Sequence, residues 1–440
     1  MGSAMSKSVI DIPNEAGWPE RTLERMCSTL SRGTAPVYVE HSDVLAIGQR
    51  CVTALGFDPS FARPHSARAM RNVLKPEVGD VLLNSTGTGT IGRSCVFDSS
   101  KVFIVDGHVT LLRSVPDQFR GEWLDAVLRS SWSQNHLERF CYAGSTNQVE
   151  LSRTELAATS LPVPSINEQN DFVRIFNTLD GAIRKTEAIV GKLKQVKQGL
   201  LHDLLTRGVD ANGEMRPTKD QAPHLYQESR LGWIPKDWTL RSVASLGEIR
   251  SGSTPSRGKA HRYFHPEGTP WVKTLDLNED VIRKTDECIT VAALRESSCS
   301  VLPVDSVLIA MYGGWEQIGR TAILGVPAAT NQALSALTIS DPDAVPEYVL
   351  RALQHGRPRW KRVAASTRKD PNITKADVET FELAMPSTKD EQDAIVTRFR
   401  ALLTRFAIEE VELHKRHEEK TGVIDDLLTG RVRVTPLLAQ

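Results

Sequence analysis

The 440-residue chain is too long for one ordinary domain and has room for roughly two to four, each able to bury its own core. Apolar residues at 40% and charged residues at 25% are typical of a globular protein, and no run approaches the ~18–20 apolar residues of a membrane span, which excludes a membrane-embedded class. The 54 basic and 54 acidic side chains cancel, so bulk charge announces no nucleic-acid partner and any such site must come from local patches.

In chain order, Met1-Gly2-Ser3-Ala4-Met5 lacks an apolar run behind a basic segment and reads as a remnant ahead of a second start, not as a signal peptide. The cysteines, Cys27, Cys51, Cys95, Cys141, Cys288 and Cys299, are scattered without a C-x-x-C pair, which fits reduced cytoplasmic thiols better than zinc ligands or a disulfide frame. Short apolar runs at Val78–Leu83 and Val102–Val105, broken by Gly, Pro and Ser, predict strands. From about Ser165 the texture becomes helical. Phe172, Ile175, Leu179, Ala182, Thr186, Ile189, Leu193, Val196 and Leu200 step by three and four, the seam of a coiled-coil helix. Ser165-x-x-Glu168 has capping-box spacing, and Gly208 supplies a left-handed stop.

The same progression then repeats. Strand-like runs at Ser306–Ala310 and Thr321–Leu324 are followed from about Ser387 by a second helical segment, opened by Thr388-x-x-Glu391 and stopped at Gly430. Its seam, Ile395, Phe399, Leu402, Phe406, Leu413, Val423 and Leu427, is interrupted at Glu409, Arg416 and Lys420. About 40 residues at ~1.5 Å each give helices near 60 Å long, and neither can bury its seam alone, so the two are expected to pack together.

The words match as well as the texture. Leu161-Pro162-Val163-Pro164-Ser165 before Glu168-Gln169 answers to Leu383-Ala384-Met385-Pro386-Ser387 before Glu391-Gln392, and Leu204-Leu205-Thr206 answers to Leu427-Leu428-Thr429 at the same separation of 36 residues. Upstream, Leu151–Leu156 sits over Ile373–Val378, Ile91-Gly92-Arg93 over Ile318-Gly319-Arg320, and Trp18 and Thr34 over Trp238 and Thr254. The chain reads as two copies of one plan, with insertions in loops between the anchors.

With these words in view, and with Gly232-Trp233-Ile234-Pro235-Lys236-Asp237-Trp238, Ser251-Gly252-Ser253-Thr254-Pro255 and Trp271–Asp276 opening the second copy, the chain resembles the specificity (S) subunits of type I restriction-modification systems over essentially its full length. The first copy departs in reading Arg32-Gly33-Thr34-Ala35-Pro36 and keeping only Gly17-Trp18-Pro19 of the opening phrase. The resemblance implies an α+β protein: two target-recognition domains of mixed character on two long antiparallel coiled-coil helices, a pseudo-two-fold tandem duplication. The expected divisions are residues 1–163 (first recognition domain), 164–213 (central helix and linker), 214–385 (second recognition domain) and 386–440 (distal helix). It also implies the partners: double-stranded DNA with a bipartite asymmetric site, one half-site per domain, two methyltransferase subunits and, in some systems, restriction subunits. The helices would be spacer and docking platform, and the setting cytoplasmic.

Gly87-Thr88-Gly89-Thr90-Ile91-Gly92 satisfies G-x-G-x-x-G, but Ser94–Val105 reads as more strand where a dinucleotide fingerprint needs a helix, so a tight turn is expected and no cofactor. No phosphate loop, H-E-x-x-H or Asn/Asp-Pro-Pro-Tyr/Phe motif occurs, and the chain is expected to be non-catalytic. Three stretches combine several cations with no acidic residue: Arg63, Arg68, Arg71 and Lys75; Arg250, Arg257, Lys259 and Arg262; Arg357, Arg359, Lys361, Arg362, Arg368 and Lys369. These would neutralise backbone phosphates, while His65, Tyr263, Tyr312, Trp315 and Gln317 could reach base edges or pack beneath the loops; Arg93 and Arg320, closing the paired Ile-Gly-Arg words, complete the DNA-binding candidates. The rival readings are an enzyme, which would need a bound methyl donor or nucleotide, and a coiled-coil scaffold without DNA affinity.

Overall fold

The computed structural model describes residues 9–144, 149–364 and 372–434. The chain forms two compact units, Met1–Glu187 with Val411–Gln440, and Ala188–Glu410. No helix among the described residues is long and apolar enough to cross a membrane.

In the first unit four antiparallel strands form a sheet in the order Cys27–Arg32, Val109–Ser114, Val81–Asn84, Ser94–Val96. All four residues of Val81–Asn84 are buried, so both faces of the strand are covered and its sequence is a continuous apolar run, not an alternation. Val81 and Leu83 join Trp123, Leu124, Val127 and Leu128 of helix Gly121–Arg129 in one core. Leu82 faces a second core, where the rings of Phe57, Phe97 and Phe103 meet at centroid distances of 5.0–5.6 Å. The strand expected from Val78 begins instead at Val81, because Gly79 turns the chain at φ +95° and leaves Val78 exposed. A smaller sheet pairs Leu45–Ile47 parallel with Phe103–Val105 and antiparallel with Arg63–Pro64. Glu20–Thr22 pairs with Ser160–Pro162, so the two ends of this fold meet just before a long helix begins at Ile166.

The second unit has its own sheet, Gly247–Ser251, Leu334–Ile339, Val307–Ala310, Thr321–Leu324, with Val281–Ile282 added parallel at the edge. Leaving that edge strand aside, both sheets place their strands, numbered by appearance in the chain, in the order first, fourth, second, third. Here too a smaller sheet joins one parallel pair, Phe264–Val272 with Ala329–Thr330, to an antiparallel one with Cys288–Ile289. Trp238–Ser242 pairs with Glu382–Pro386, which again brings the two ends together just before a helix, Lys389–Leu428.

The repeated Glu-Gln word has a structural reason. Gln169 and Gln392 are both buried. Gln169 accepts from the Arg120 N–H at 2.9 Å, at the start of helix Gly121–Arg129, and donates to the Pro164 carbonyl at 3.0 Å. Gln392 accepts from the Val345 N–H at 2.9 Å, at the start of helix Pro346–Val363, and donates to the Asp343 carbonyl at 2.9 Å and the Pro386 carbonyl at 3.4 Å. In each unit the amide satisfies a buried helix N-terminus and a loop that would otherwise be left unpaired. The preceding glutamates diverge. Glu168 completes the capping box, accepting from the Ser165 N–H at 3.1 Å, whereas Glu391 turns to Arg216 and to the Trp238 indole N–H at 3.1 Å.

The long helices are Ile166–Thr206 and Lys389–Leu428, stopped by Gly208 at φ +66° and Gly430 at φ +70°. In the first unit Lys420 bonds Asp180, and Arg433 reaches Glu168 at 2.7 Å. In the second, Lys194 lies 5.8 Å over the Phe406 ring, and Leu204 and Leu205 share a core with Ile395, Val396 and Phe399. In each unit the partner's number falls as the residue number rises, so the segments run antiparallel. The face expected for the second helix is the one turned inward: Ile395, Phe399 and Leu427 are buried, and Leu402, Phe406, Leu413 and Val423 half-buried. Glu409, Arg416 and Lys420 share that face, with Arg416 paired to Glu412 at 2.9 Å.

For the first helix the expected seam needs correction at Ile189 and Val196. Phe172 and Thr186 are buried and Ile175, Leu179, Ala182, Leu193 and Leu200 half-buried, with Ile175 packed against the first unit's core, but Ile189 and Val196 are 42% and 44% exposed. The buried positions between them are Phe176, Ile183 and Val190, one residue later, so the stripe steps four-then-three instead of three-then-four.

Candidate nucleic-acid interface

In the first unit Arg63, Arg68 and Arg71 are exposed, and none is ion-paired among the described residues. Arg63 lies on the short edge strand Arg63–Pro64 with its guanidinium 3.7 Å from the centroid of the Tyr38 ring. Tyr38 is itself fixed: its hydroxyl donates to Asp106 Oδ2 at 3.0 Å, and its backbone bridges to His65. Burial, with help from Asp106, raises the phenol above its ordinary pKa, so it stays protonated and donating. His65 is corrected as a candidate. It is buried, Nδ1 accepts from the Val37 N–H at 3.0 Å and Nε2 donates to the Ala69 carbonyl at 3.0 Å, so both nitrogens are spent inside the fold.

Sequence reasoning missed the aromatic and apolar half of this patch. Val37, Tyr38, Val39 and Phe61 are exposed, and exposed Arg50 stacks 4.4 Å over Phe61. The only signal was an apolar triplet after Pro36, which reads as ordinary core strand.

The second unit treats its cations differently. Arg250 pairs with Glu248 at 2.7 and 2.8 Å, Arg257 with Glu287 at 2.5 and 3.0 Å, and Arg262 with Glu296, one bond being 3.1 Å. Arg257 also stacks over Phe264 at 4.3 Å and Trp271 at 5.2 Å. Hydrogen bonds from Arg257, and then from Lys273, hold the Glu287 carboxyl down at about 2. Lys259 is exposed, 5.9 Å over Tyr263, itself buried. Arg359 stacks 4.1 Å over Phe381, and burial lowers its pKa. The side chain of Lys361 and all of Arg368 and Lys369 lie outside the described residues.

The glycine-rich segment 87–92 is a turn joining strands Val81–Asn84 and Ser94–Val96, as expected, with Gly87, Gly89 and Gly92 all at positive φ. The loop 311–319 likewise joins Val307–Ala310 to Thr321–Leu324, and exposes Tyr312 and Trp315. The arginines that close these loops bond back to them. Arg93 donates to the Gly89 carbonyl at 3.3 Å, and Arg320 to Gln317 Oε1 at 3.0 Å. Arg93, Gln317 and Arg320 are therefore half-buried loop staples, while Tyr312 remains an open surface group.

What these surfaces can do is electrostatic and geometric. Exposed guanidinium groups without carboxylate partners neutralise phosphates at little desolvation cost, and stacked ones present a forked donor edge. A cleft of about 970 Å³ in the first unit mixes both signs, with Asp125, Arg129, Asp180 and Lys420 among its walls, and does not have that one-signed character. Among the described residues no group of three or more His, Cys, Asp or Glu is placed to hold a metal ion.

The family described as the type I restriction modification DNA specificity domain matches residues 235–416. The chain is 22% identical over 369 residues to the putative type I restriction enzyme MjaX specificity subunit of Methanocaldococcus jannaschii, covering 81% of this chain and 79% of that protein. It is 22% identical over 204 residues to the type I restriction enzyme HindI specificity subunit of Haemophilus influenzae, covering 45% and 42%. In fold it is similar to a chain from a study of type I R-M complex assembly and conformational transition, with TM-score 0.60 and 14% identity over 96% of this chain and all of that one. It is similar too to the type I restriction-modification S subunit from M. genitalium, with TM-score 0.54 and 12% identity over 95% and 96%. By sequence and by fold, then, the chain is similar to the specificity (S) subunits of type I restriction-modification systems.

Proposed function

We propose that the chain supplies the sequence specificity of a type I complex by reading a bipartite, asymmetric DNA site, one half with each unit. The reading divides it as residues 1–163 and 214–385 for recognition and 164–213 and 386–440 for the helices, which dock two methyltransferase subunits and, where the system has them, restriction subunits. It is a cytoplasmic, non-catalytic subunit, and it arose by tandem duplication. The observation that carries this is the pairing of one framework with two surfaces. Both units have the first-fourth-second-third strand order, a closing strand pair before a long helix and a buried glutamine at a helix start. Yet among the described residues Arg63, Arg68 and Arg71 of the first are exposed without a carboxylate partner, whereas Arg250, Arg257 and Arg262 of the second pair with glutamates. A shared framework with different side-chain chemistry is what two different half-sites require.

The test is to map methylated bases genome-wide in cells carrying this chain with its methyltransferase partner. The expected motif has two unlike halves separated by unspecified bases. A single contiguous motif, or methylation that does not depend on this chain, refutes the reading.

A further inference from the structure

We propose that Arg63 is a specificity-determining residue that selects a guanine in the half-site read by the first unit. This rests on the reading that the first unit reads a half-site. It goes further in separating base reading from phosphate contact among arginines that look alike in sequence.

Arg63 differs from its neighbours in being held. Its guanidinium carbon lies 3.7 Å from the centroid of the Tyr38 ring, and Tyr38 is tied by its hydroxyl to Asp106 and by its backbone to His65, whose two ring nitrogens anchor Val37 and Ala69. A guanidinium packed over a ring is covered on one side and, with five N–H donors, keeps several of them at its edge. No carboxylate claims that edge among the described residues: Asp106, the acid in contact with Tyr38, is occupied by the Tyr38 hydroxyl through one oxygen and by the His108 N–H through the other. Arg257 in the second unit is also stacked on aromatic rings, but its fork is closed by Glu287.

The surroundings distinguish a base edge from a phosphate. Val37 at 53%, Val39 at 39% and Phe61 at 40% are exposed beside the Tyr38–Arg63 stack, and Arg50 covers only part of the Phe61 ring. A phosphate contact needs only a mobile cation in water, and apolar neighbours hinder it by desolvation. A groove floor offers both chemistries together: paired acceptors at guanine O6 and N7 for a forked donor, and thymine methyl groups for apolar contact. Arg68 and Arg71, exposed and without a stacking partner among the described residues, have the character of phosphate contacts.

Methylation mapping in cells carrying the full system tests this with four changes to the chain: Arg63→Lys, Arg63→Ala, Arg68→Ala, and exchange of residues 18–160 for a related domain. The exchange identifies which half-site the first unit reads. That half-site is expected to contain a guanine at which Arg63→Lys, which keeps charge and length but cannot fork, lowers discrimination roughly 5- to 150-fold. Arg68→Ala should reduce methylation at every site without changing the motif. If Arg63→Ala fails to fold, Arg63→Lys still decides the matter. An unchanged motif with full discrimination in Arg63→Lys overturns the proposal for Arg63 alone, whereas a motif unmoved by the exchange overturns the half-site reading beneath it.

Discussion

Gln392 provides the sharpest structural prediction. Replacing it with alanine removes an acceptor 2.9 Å from the Val345 N–H and a donor 2.9 Å from the Asp343 carbonyl, with a weaker bond to Pro386 at 3.4 Å, in a site where the side chain is 1% exposed. A buried polar group left unpaired costs about 1–3 kcal/mol, so two such groups, partly relieved by entering water, give a loss of about 2–4 kcal/mol. For a unit of this size that is a fall of about 5–15 °C in melting temperature. Gln392→Glu keeps the acceptor but points a second carboxyl oxygen at carbonyl oxygens. It must stay protonated to fit, so its folded-state pKa rises above the ordinary ~4.3. A raised carboxyl pKa means stability present below the unfolded value and lost as pH rises, so this variant should approach the wild type near pH 4 and be much the weaker at pH 7. Urea denaturation at both pH values, with thermal melts, measures this. A Gln392→Ala melt within about 2 °C of wild type, or a Gln392→Glu defect independent of pH, would refute the idea that this amide ties the helix to the loop.

Gly319 sits at φ +69° with an added Cβ only 2.3 Å from Trp360 Cδ1, and Trp360 is stacked on Phe381 at 3.8 Å and cannot yield; Gly319→Ala should cost at least about 2 kcal/mol in denaturant unfolding. His355, 3.2 Å from His202 Nδ1, is lowered to about 4, first by burial and then by His202 and Arg359. Its contribution is complete above pH 6.5 and lost as pH falls towards 4, roughly 1–3 kcal/mol given the ring's partial exposure, and parallel pH profiles for wild type and His355→Gln would contradict this. In salt titrations of DNA binding, Arg68→Ala and Arg71→Ala should each lower the slope of log K against log salt by about 1, whereas Arg257→Ala should change it far less because Glu287 already neutralises that cation. Equal changes in slope would refute the distinction.

The repeated words were legible where a residue performs the same task in both units: Gln169 and Gln392 hold helix starts, and Gly92 and Gly319 close hairpin loops at positive φ beneath an aromatic residue. The first helix was misread in phase because its apolar residues fill both alternatives. Ile175 stands beside Phe176, Ala182 beside Ile183 and Ile189 beside Val190, so hydrophobicity alone cannot choose, and tertiary packing does. The second helix carries such doublets too, Ile395-Val396, Leu402-Leu403 and Val423-Ile424 among them, yet its inward face was legible. Charge clusters misled for a different reason. Glu287 and Glu296 lie 30 and 34 residues from the arginines they neutralise, and the partners that consume His65 belong to Val37 and Ala69, so counting local charge could not tell a free cation from a paired one.

The central claim is that each unit reads its own half of the DNA site. Exchanging residues 18–160 for the corresponding segment of a related subunit, and mapping methylation in cells that carry the exchanged chain with its partners, tests it most directly. The account predicts that one half of the recognised motif changes while the other half is retained. An unaltered motif, or a change in both halves, would contradict it.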